Sequence, residues 1–229
     1  MQDPPIQSTA QFATTQGIKA LVYAKAGMGK TFLATTCERP FVIATEPGLL
    51  SLRKHNIPFV QANTVQQLHT LADWIAAGGP TVRQFKTFFI DSMSEVLEIL
   101  LAAERIRVGQ KEPRKAYNEL LIAALELIRK FRDIQGPNVI FLAKEEYSQD
   151  ENNAMMFRPK FPGRAMGIEA PYFFDEVWQL HLYRHTDGKD YRVFRCHPTN
   201  QHEAKDRSGA LNAMEPAHLD TIFDKINRG

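Results

Sequence analysis

A layered α/β fold built on a mostly parallel sheet is what this chain predicts, and three observations predict it. Short apolar, β-rich runs recur at 18–23, 41–45, 87–90 and 139–143, each apolar enough for a strand buried on both faces. Longer stretches with helical spacing separate them, and strands alternating with helices imply parallel pairing with helices on the flanks. Two further runs, 177–183 and 191–196, meet across Asp187-Gly188 and read as a late antiparallel β-hairpin.

Each element follows from its own residues. Residues 1–17 carry Pro4 and Pro5 in a polar Gln/Ser/Thr-rich stretch, a flexible leader, and 18–229 read as one domain. Val65, Leu68, Ala72 and Ile75 give a weak helical stripe that opens on Thr64-x-x-Gln67, a capping box, and stops at Gly78-Gly79-Pro80. Past Asp91, the residues Met93, Val96, Leu97, Leu100 and Leu101 fall at i, i+3, i+4, i+7, i+8, one amphipathic helix. Tyr117, Leu120, Leu121, Ala124, Leu125 and Ile128 give another. The segment 147–171 has neither period and holds Pro159, Pro162 and Gly163, so it reads as a long functional or mobile loop. Leu219, Ile222, Phe223 and Ile226 close the chain with a short amphipathic helix.

Composition narrows the classes. With 229 residues, 44% of them apolar, and a net charge of +2, the chain is an ordinary globular one, and wholesale disorder or collagen-like repetition is excluded. No apolar run approaches the roughly 18 residues of a membrane span, and residues 1–11 lack a basic and an apolar signal region. Two cysteines, Cys37 and Cys196, are too few for a disulfide framework, which fits a reducing, cytoplasmic setting. Near-neutral charge confines any nucleic-acid contact to a local basic patch. Cys196-His197 with His202 lacks the second pair that a tetrahedral zinc site needs.

The sharpest motif is A-K-A-G-M-G-K-T at 24–31, directly after a strand and before the helical stretch 32–37. That context is the one a phosphate-binding loop requires. Ala26, Gly27, Met28, Gly29 and Phe32 line or flank the loop; the glycines let backbone N–H groups turn toward phosphate oxygens, Lys30 reaches the β/γ-phosphates, and Thr31 ligates magnesium. The usual pattern opens with glycine where this chain has Ala24. A second metal-binding acid is Asp91, closing the apolar run 87–90. Ser92 with Glu95 forms Ser-x-x-Glu, which also reads as a cap for the next helix. Glu46 ends the apolar run 41–45 before Pro47-Gly48, where the carboxyl ends of parallel strands line a ligand crevice, and a carboxylate there can polarise an attacking water. A solvated loop glutamate is the plain alternative.

Together these residues resemble the RecA/RadA recombinase ATPases, and more closely the compact phage branch known as RecA-like single-strand annealing proteins, over residues 18 to the C-terminus. The resemblance implies a RecA-like P-loop core, ATP and Mg²⁺ as cofactors, and DNA-stimulated ATP hydrolysis. It makes Glu46 and Lys30 catalytic and assigns Thr31 and Asp91 to the metal. Polar Lys144 and Glu145 stand where the family senses the γ-phosphate, a position that usually carries Gln. It also implies that basic residues after the late hairpin, here Lys205 and Arg207, complete the nucleotide site of a neighbouring protomer in a filament or ring. Read without the resemblance, they are a solvated surface pair.

Two regions match the family's single-strand-binding loops. In the first, Arg105, Arg107, Lys111, Arg114 and Lys115 face Glu104 and Glu112. In the second, Met155, Met156 and Phe157 adjoin Arg158, Lys160 and Arg164, apolar wedges beside cations that suit a base stack and its phosphates. The same Met/Phe run also reads as a satellite core cluster or a protein-partner surface. The resulting expectation is an ATP-dependent single-stranded DNA-binding recombinase promoting annealing or exchange, in the cytoplasm, of the host cell if a phage encodes it. A single-strand binding protein is a further candidate partner. The alternatives are an ATP-switched adaptor with little turnover and a helicase-like motor on the same core.

Overall fold

The computed structural model describes Ser8 and residues 16–108, 112–149 and 153–228. Its strands are β1 (Lys19–Ala24), β2 (Pro40–Ala44), β3 (Phe59–Gln61), β4 (Thr87–Asp91), β5 (Asn138–Gln149), β6 (Met155–Pro159), β7 (Glu176–Arg184), β8 (Asp190–Arg195), β9 (Lys205–Asp206) and β10 (Met214–Pro216). The α-helices are α1 (Val65–Ala76), α2 (Met93–Val108), α3 (Pro113–Arg132), α4 (Arg164–Glu169) and α5 (Leu219–Arg228).

One sheet runs β10-β8-β7-β1-β5-β4-β2-β3, with β6 added on β5 and β9 on β7. The six strands from β7 to β3 pair in parallel, and β8 and β10 are antiparallel to their neighbours. Alternate residues of β1 go to opposite faces, as strand geometry demands. Leu21 and Tyr23 pack with Leu97, Leu120 and Ile128 under α1–α3, whereas Ala20, Val22 and Ala24 pack with Leu33, Ile222 and Phe223 on the other side. Both faces being covered explains why the core strands read as unbroken apolar runs. This is the α/β, RecA-like P-loop architecture with helix-flanked parallel sheet and late hairpin.

The chain leaves β1 toward β2 on one side and returns as β7 on the other, so β1 sits at the switch point of the sheet, where carboxyl ends open a ligand crevice. β5 lies between β1 and β4. The α1 cap forms as its sequence dictates: Thr64 Oγ1 accepts from Gln67 N at 3.2 Å, and the Gln67 side chain accepts from Thr64 N at 3.1 Å.

Three expectations change. The stretch after the glycine-rich loop is a six-residue 3₁₀ helix, Thr31–Thr36, so it adds little dipole to a phosphate site. The segment 147–171 is not one loop. β5 continues to Gln149 and pairs antiparallel with β6, Tyr147 opposite Phe157, before α4 and a further 3₁₀ turn. Finally, the end of the leader is tied down, since buried Lys19 donates from Nζ to the carbonyls of Gln16 at 2.6 Å and Pro137 at 2.9 Å. The rest of the 1–17 expectation, Ser8 apart, lies outside the described residues.

Candidate nucleotide-binding site

The glycine-rich loop leaves the carboxyl end of β1 with Gly27 at φ +78° and Gly29 at φ +92°, left-handed conformations that glycine adopts without strain. Ala24 is the buried last residue of β1, so no glycine is needed where the usual motif has its first one. Lys30 folds its ammonium back over the loop, donating to the carbonyls of Ala24 at 3.0 Å and Lys25 at 3.3 Å. Arg192 of β8 reaches the same loop from the opposite side, its Nε donating to the Met28 carbonyl at 2.8 Å.

Thr31 and Asp91 meet although β5 separates their strands: Thr31 Oγ1 donates to Asp91 Oδ2 at 2.6 Å. Asp91 is buried, and burial holds its carboxyl above the usual range, against the pull of the Thr31 hydroxyl. Burial likewise lowers Lys30, opposed by the charges of Asp91 and Glu46. These residues therefore lie within electrostatic reach of one another.

Glu46 is held by its neighbours on β4. Thr45 N donates to the Asp91 carbonyl at 2.8 Å, and Ser92 N donates to Thr45 Oγ1 at 2.9 Å. Ser92 Oγ then donates to Glu46 Oε1 at 3.3 Å. The expected capping box at Ser92 is only half made: Glu95 N donates to Ser92 Oγ at 3.4 Å, while the Glu95 carboxylate pairs with Lys144 at 3.2 Å. Lys144 also stands 4.0 Å from Glu46. Glu145 accepts from Gln179 of β7 at 2.7 Å, and both crest residues flank the crevice where β5 passes from parallel to antiparallel pairing.

This donor set fits a nucleotide and its metal. Magnesium takes one or two carboxylates and fills its remaining positions with phosphate oxygens and water. A hydroxyl and a carboxylate in contact at Thr31 and Asp91, with an ammonium beside them, supply that chemistry, and no group of three or more His, Cys, Asp or Glu placed for a metal occurs among the described residues. Residues 26–31 would wrap the phosphates, with Phe32 behind the loop against His55, ring centroids 5.3 Å apart. Thr31 and Asp91 would hold the metal, which when bound would supply positive charge to the phosphates, and Glu46, held by Ser92, would orient a water.

Lys205 and Arg207 are not brought to this site. β9 pairs with the start of β7, at the amino ends of the parallel strands. Lys205 Nζ donates to the Phe174 carbonyl at 2.7 Å, and Arg207 pairs with Asp175 at 2.9 Å.

The first expected DNA region is not a free basic loop. Arg105 and Arg107 sit on the last turn of α2, Arg114 and Lys115 on the first of α3. Arg107 pairs with Glu104 at 2.7 Å and with Glu119 at 2.9 Å, Lys115 pairs with Glu112, and Arg105 packs on Tyr117. Glu119, one helical turn inside α3, is the acid that a count over neighbouring residues misses. Lys111 and the Arg164 side chain lie outside what is described.

In the second region Arg158 corrects the expectation. Only 5% of it is exposed, and its guanidinium pairs with Glu203 at 3.2 Å while donating to the Gln149 and Gly167 carbonyls. It is committed to the fold. Met155, half-buried Met156 and Phe157, and exposed Lys160 remain on the hairpin surface. Phe157 lies between Tyr147, at 4.7 Å, and His202, stacked at 5.1 Å, with Lys25 of the loop 5.2 Å over its ring. Tyr147 and His202 carry no sequence signal, because only the β5–β6 pairing and the return of residue 202 assemble them.

Comparison with known proteins fits this geometry. A family model described as an AAA domain matches residues 16–208. No curated protein matches the chain. Among solved structures, a KaiC-like protein from the hyperthermophilic archaeon Pyrococcus horikoshii OT3 aligns over 78% of this chain and 77% of its own, at 16% identity and a TM-score of 0.40. With the loop, the Thr31–Asp91 pair and the β1 switch point all falling inside the matched span, the chain belongs to the AAA domain family of P-loop ATPases.

Proposed function

We propose that this protein is an ATP-dependent single-stranded DNA-binding recombinase that promotes annealing or strand exchange as a filament or ring. The observation that carries the nucleotide half is the 2.6 Å contact of Thr31 with Asp91 beside Lys30, with Glu46 held by Ser92. The DNA half rests on the β5–β6 hairpin, where exposed Tyr147, backed by the Phe157 ring that stacks on His202, offers a ring face to unpaired bases and Lys160 offers charge to phosphates. Lys25 over Phe157 places that surface one contact from the phosphate loop, a route by which nucleotide state can alter strand affinity.

Lys205 and Arg207 lie at the sheet edge opposite their own loop, so any phosphate they stabilise belongs to another copy. In trans they would exchange the Phe174 carbonyl and Asp175 for phosphate oxygens, as an arginine finger does. A single-strand binding protein and a cytoplasmic setting belong to this reading. Among the described residues no helix is long and apolar enough to cross a membrane.

The test is ATP hydrolysis with and without single-stranded DNA at several protein concentrations. We expect stimulation by DNA and a rise steeper than linear in protein; turnover indifferent to both removes the recombinase reading. A second reading, an ATP-switched adaptor with little turnover, is favoured by the Lys144 ammonium 4.0 Å from Glu46, which competes with an attacking water for that carboxylate. Glu46→Gln separates the two. In the recombinase it lowers turnover by about a hundredfold or more while ATP stays bound; in an adaptor it changes nothing.

A further inference from the structure

We propose that Arg192 is a positioning residue for the nucleotide: its hydrogen bond to the Met28 carbonyl fixes the Met28–Gly29 peptide so that the Gly29 N–H faces the phosphates. The inference rests on the reading of residues 24–31 as a phosphate loop.

In a trans peptide the carbonyl of one residue and the N–H of the next point in opposite directions. Arg192 Nε donates to Met28 O at 2.8 Å from outside the loop, so the N–H of Gly29 in the same plane is aimed away from Arg192. Gly29 stands at φ +92°, a conformation with few steric restraints, and a peptide beside such a glycine turns over easily. Something must select one orientation, and a charge-assisted bond to the carbonyl does so.

Packing supports the same role. A Cβ built on Gly29 would stand 2.9 Å from Arg192 Nε and 3.3 Å from its Cζ, so the Arg192 side chain occupies the space beside Gly29 that any other residue would need. Arg192 is placed by a rigid element: it pairs with Leu182 across the β7–β8 hairpin, and its own carbonyl accepts from Ala217 N at 3.1 Å. Its side chain is exposed and fills no core position, so the fold does not depend on it. Sequence reading gives no hint of this contact, which joins residues 164 positions apart.

A loop populating the competent orientation for only a fraction of the time binds with an affinity reduced by that fraction. We therefore expect Arg192→Ala to weaken binding of a fluorescent ATP analogue about tenfold, the scale of one charge-assisted hydrogen bond. ADP should weaken equally, because both nucleotides present a β-phosphate to the loop. KM for ATP should rise while kcat at saturation stays within about twofold, and Arg192→Lys, which restores a cationic donor, should recover part of the affinity. Preference for ATP over GTP should not move.

Thermal melting of each variant checks that the fold persists, and Lys30→Ala sets the level of lost binding. Unchanged ATP affinity in Arg192→Ala, or a loss seen only as altered base preference, overturns the positioning role and leaves the nucleotide site standing. Wild-type protein that binds no better than Lys30→Ala overturns the site and this inference together.

Discussion

Glu176 shows how a single buried acid shapes the pH response of the whole domain. It is 1% exposed, its carboxyl accepts from Ser208 N at 3.2 Å and from Trp178 Nε1 at 3.3 Å, and burial, with the Asp206 charge nearby, pushes its pKa up to about 8. Between the ordinary glutamate value of 4.5 and about 8 the folded chain keeps a proton that the unfolded chain has released. Folding therefore loses stability as pH rises through that window, by at most about 1.4 kcal/mol per unit, and the loss stops above it. Glu176→Gln should gain on the wild type steadily from pH 5 to 8 in paired thermal melts; a constant difference across that range contradicts the assignment. Residue identity made Lys30, Thr31, Asp91 and Glu46 legible beforehand because each ends an apolar run or follows glycines. The environment of Glu176, the hold of Ser92 on Glu46 and the contact of Arg192 were not legible, since they depend on partners 32, 46 and 164 positions away that only the folded chain supplies.

Elements carry the next lesson, in the β5–β6 hairpin. Its parallel half announces itself through the apolar run 139–143, and its outer half does not, because 147–171 has neither period and reads as a long functional or mobile loop. Arg158 is instead buried against Glu203, a charge compensated by another charge and by two carbonyls. Removing one partner of such a pair strands the other, so Arg158→Ala should lower stability by about 3–5 kcal/mol in denaturant unfolding. Tyr147→Ala, at an exposed ring, should cost far less in that experiment and should weaken single-stranded DNA binding by about 1–3 kcal/mol, the worth of one base stack. If Arg158→Ala folds as well as the wild type and loses DNA affinity alone, Arg158 belongs to the strand-binding surface after all. The basic ends of α2 and α3 show the same: a charge count along sequence overstates a patch in which Arg107 pairs with Glu104 on its own helix and with Glu119 across the helix junction, and Lys115 pairs with Glu112.

At the scale of the molecule, the sheet divides the candidate residues between two edges. The carboxyl edge holds the loop, Asp91, Glu46 and the aromatic surface, and the amino edge of β7 holds Lys205 and Arg207. By register Lys205 lies level with Leu21, three residues or about 10 Å of β1 before the loop, and its ammonium is turned to the Phe174 carbonyl rather than to the loop. If they act together they do so between copies, and Lys205→Ala mixed with Lys30→Ala should recover ATP turnover that neither shows alone. Mixtures as inactive as their components contradict action in trans. The alternation of strands and helices made the parallel sheet readable from spacing, whereas the order β7-β1-β5-β4, which puts Thr31 across from Asp91, is a property of topology.

The central claim is that a magnesium-bound triphosphate sits between Lys30, Thr31 and Asp91. Calorimetric titration of ATP, with and without Mg²⁺, into the wild type and Asp91→Asn tests it most directly. The account predicts saturable binding strengthened by Mg²⁺ in the wild type and ATP binding that no longer responds to the metal in Asp91→Asn. An absence of ATP binding in the wild type, or the same metal dependence in both proteins, would contradict it.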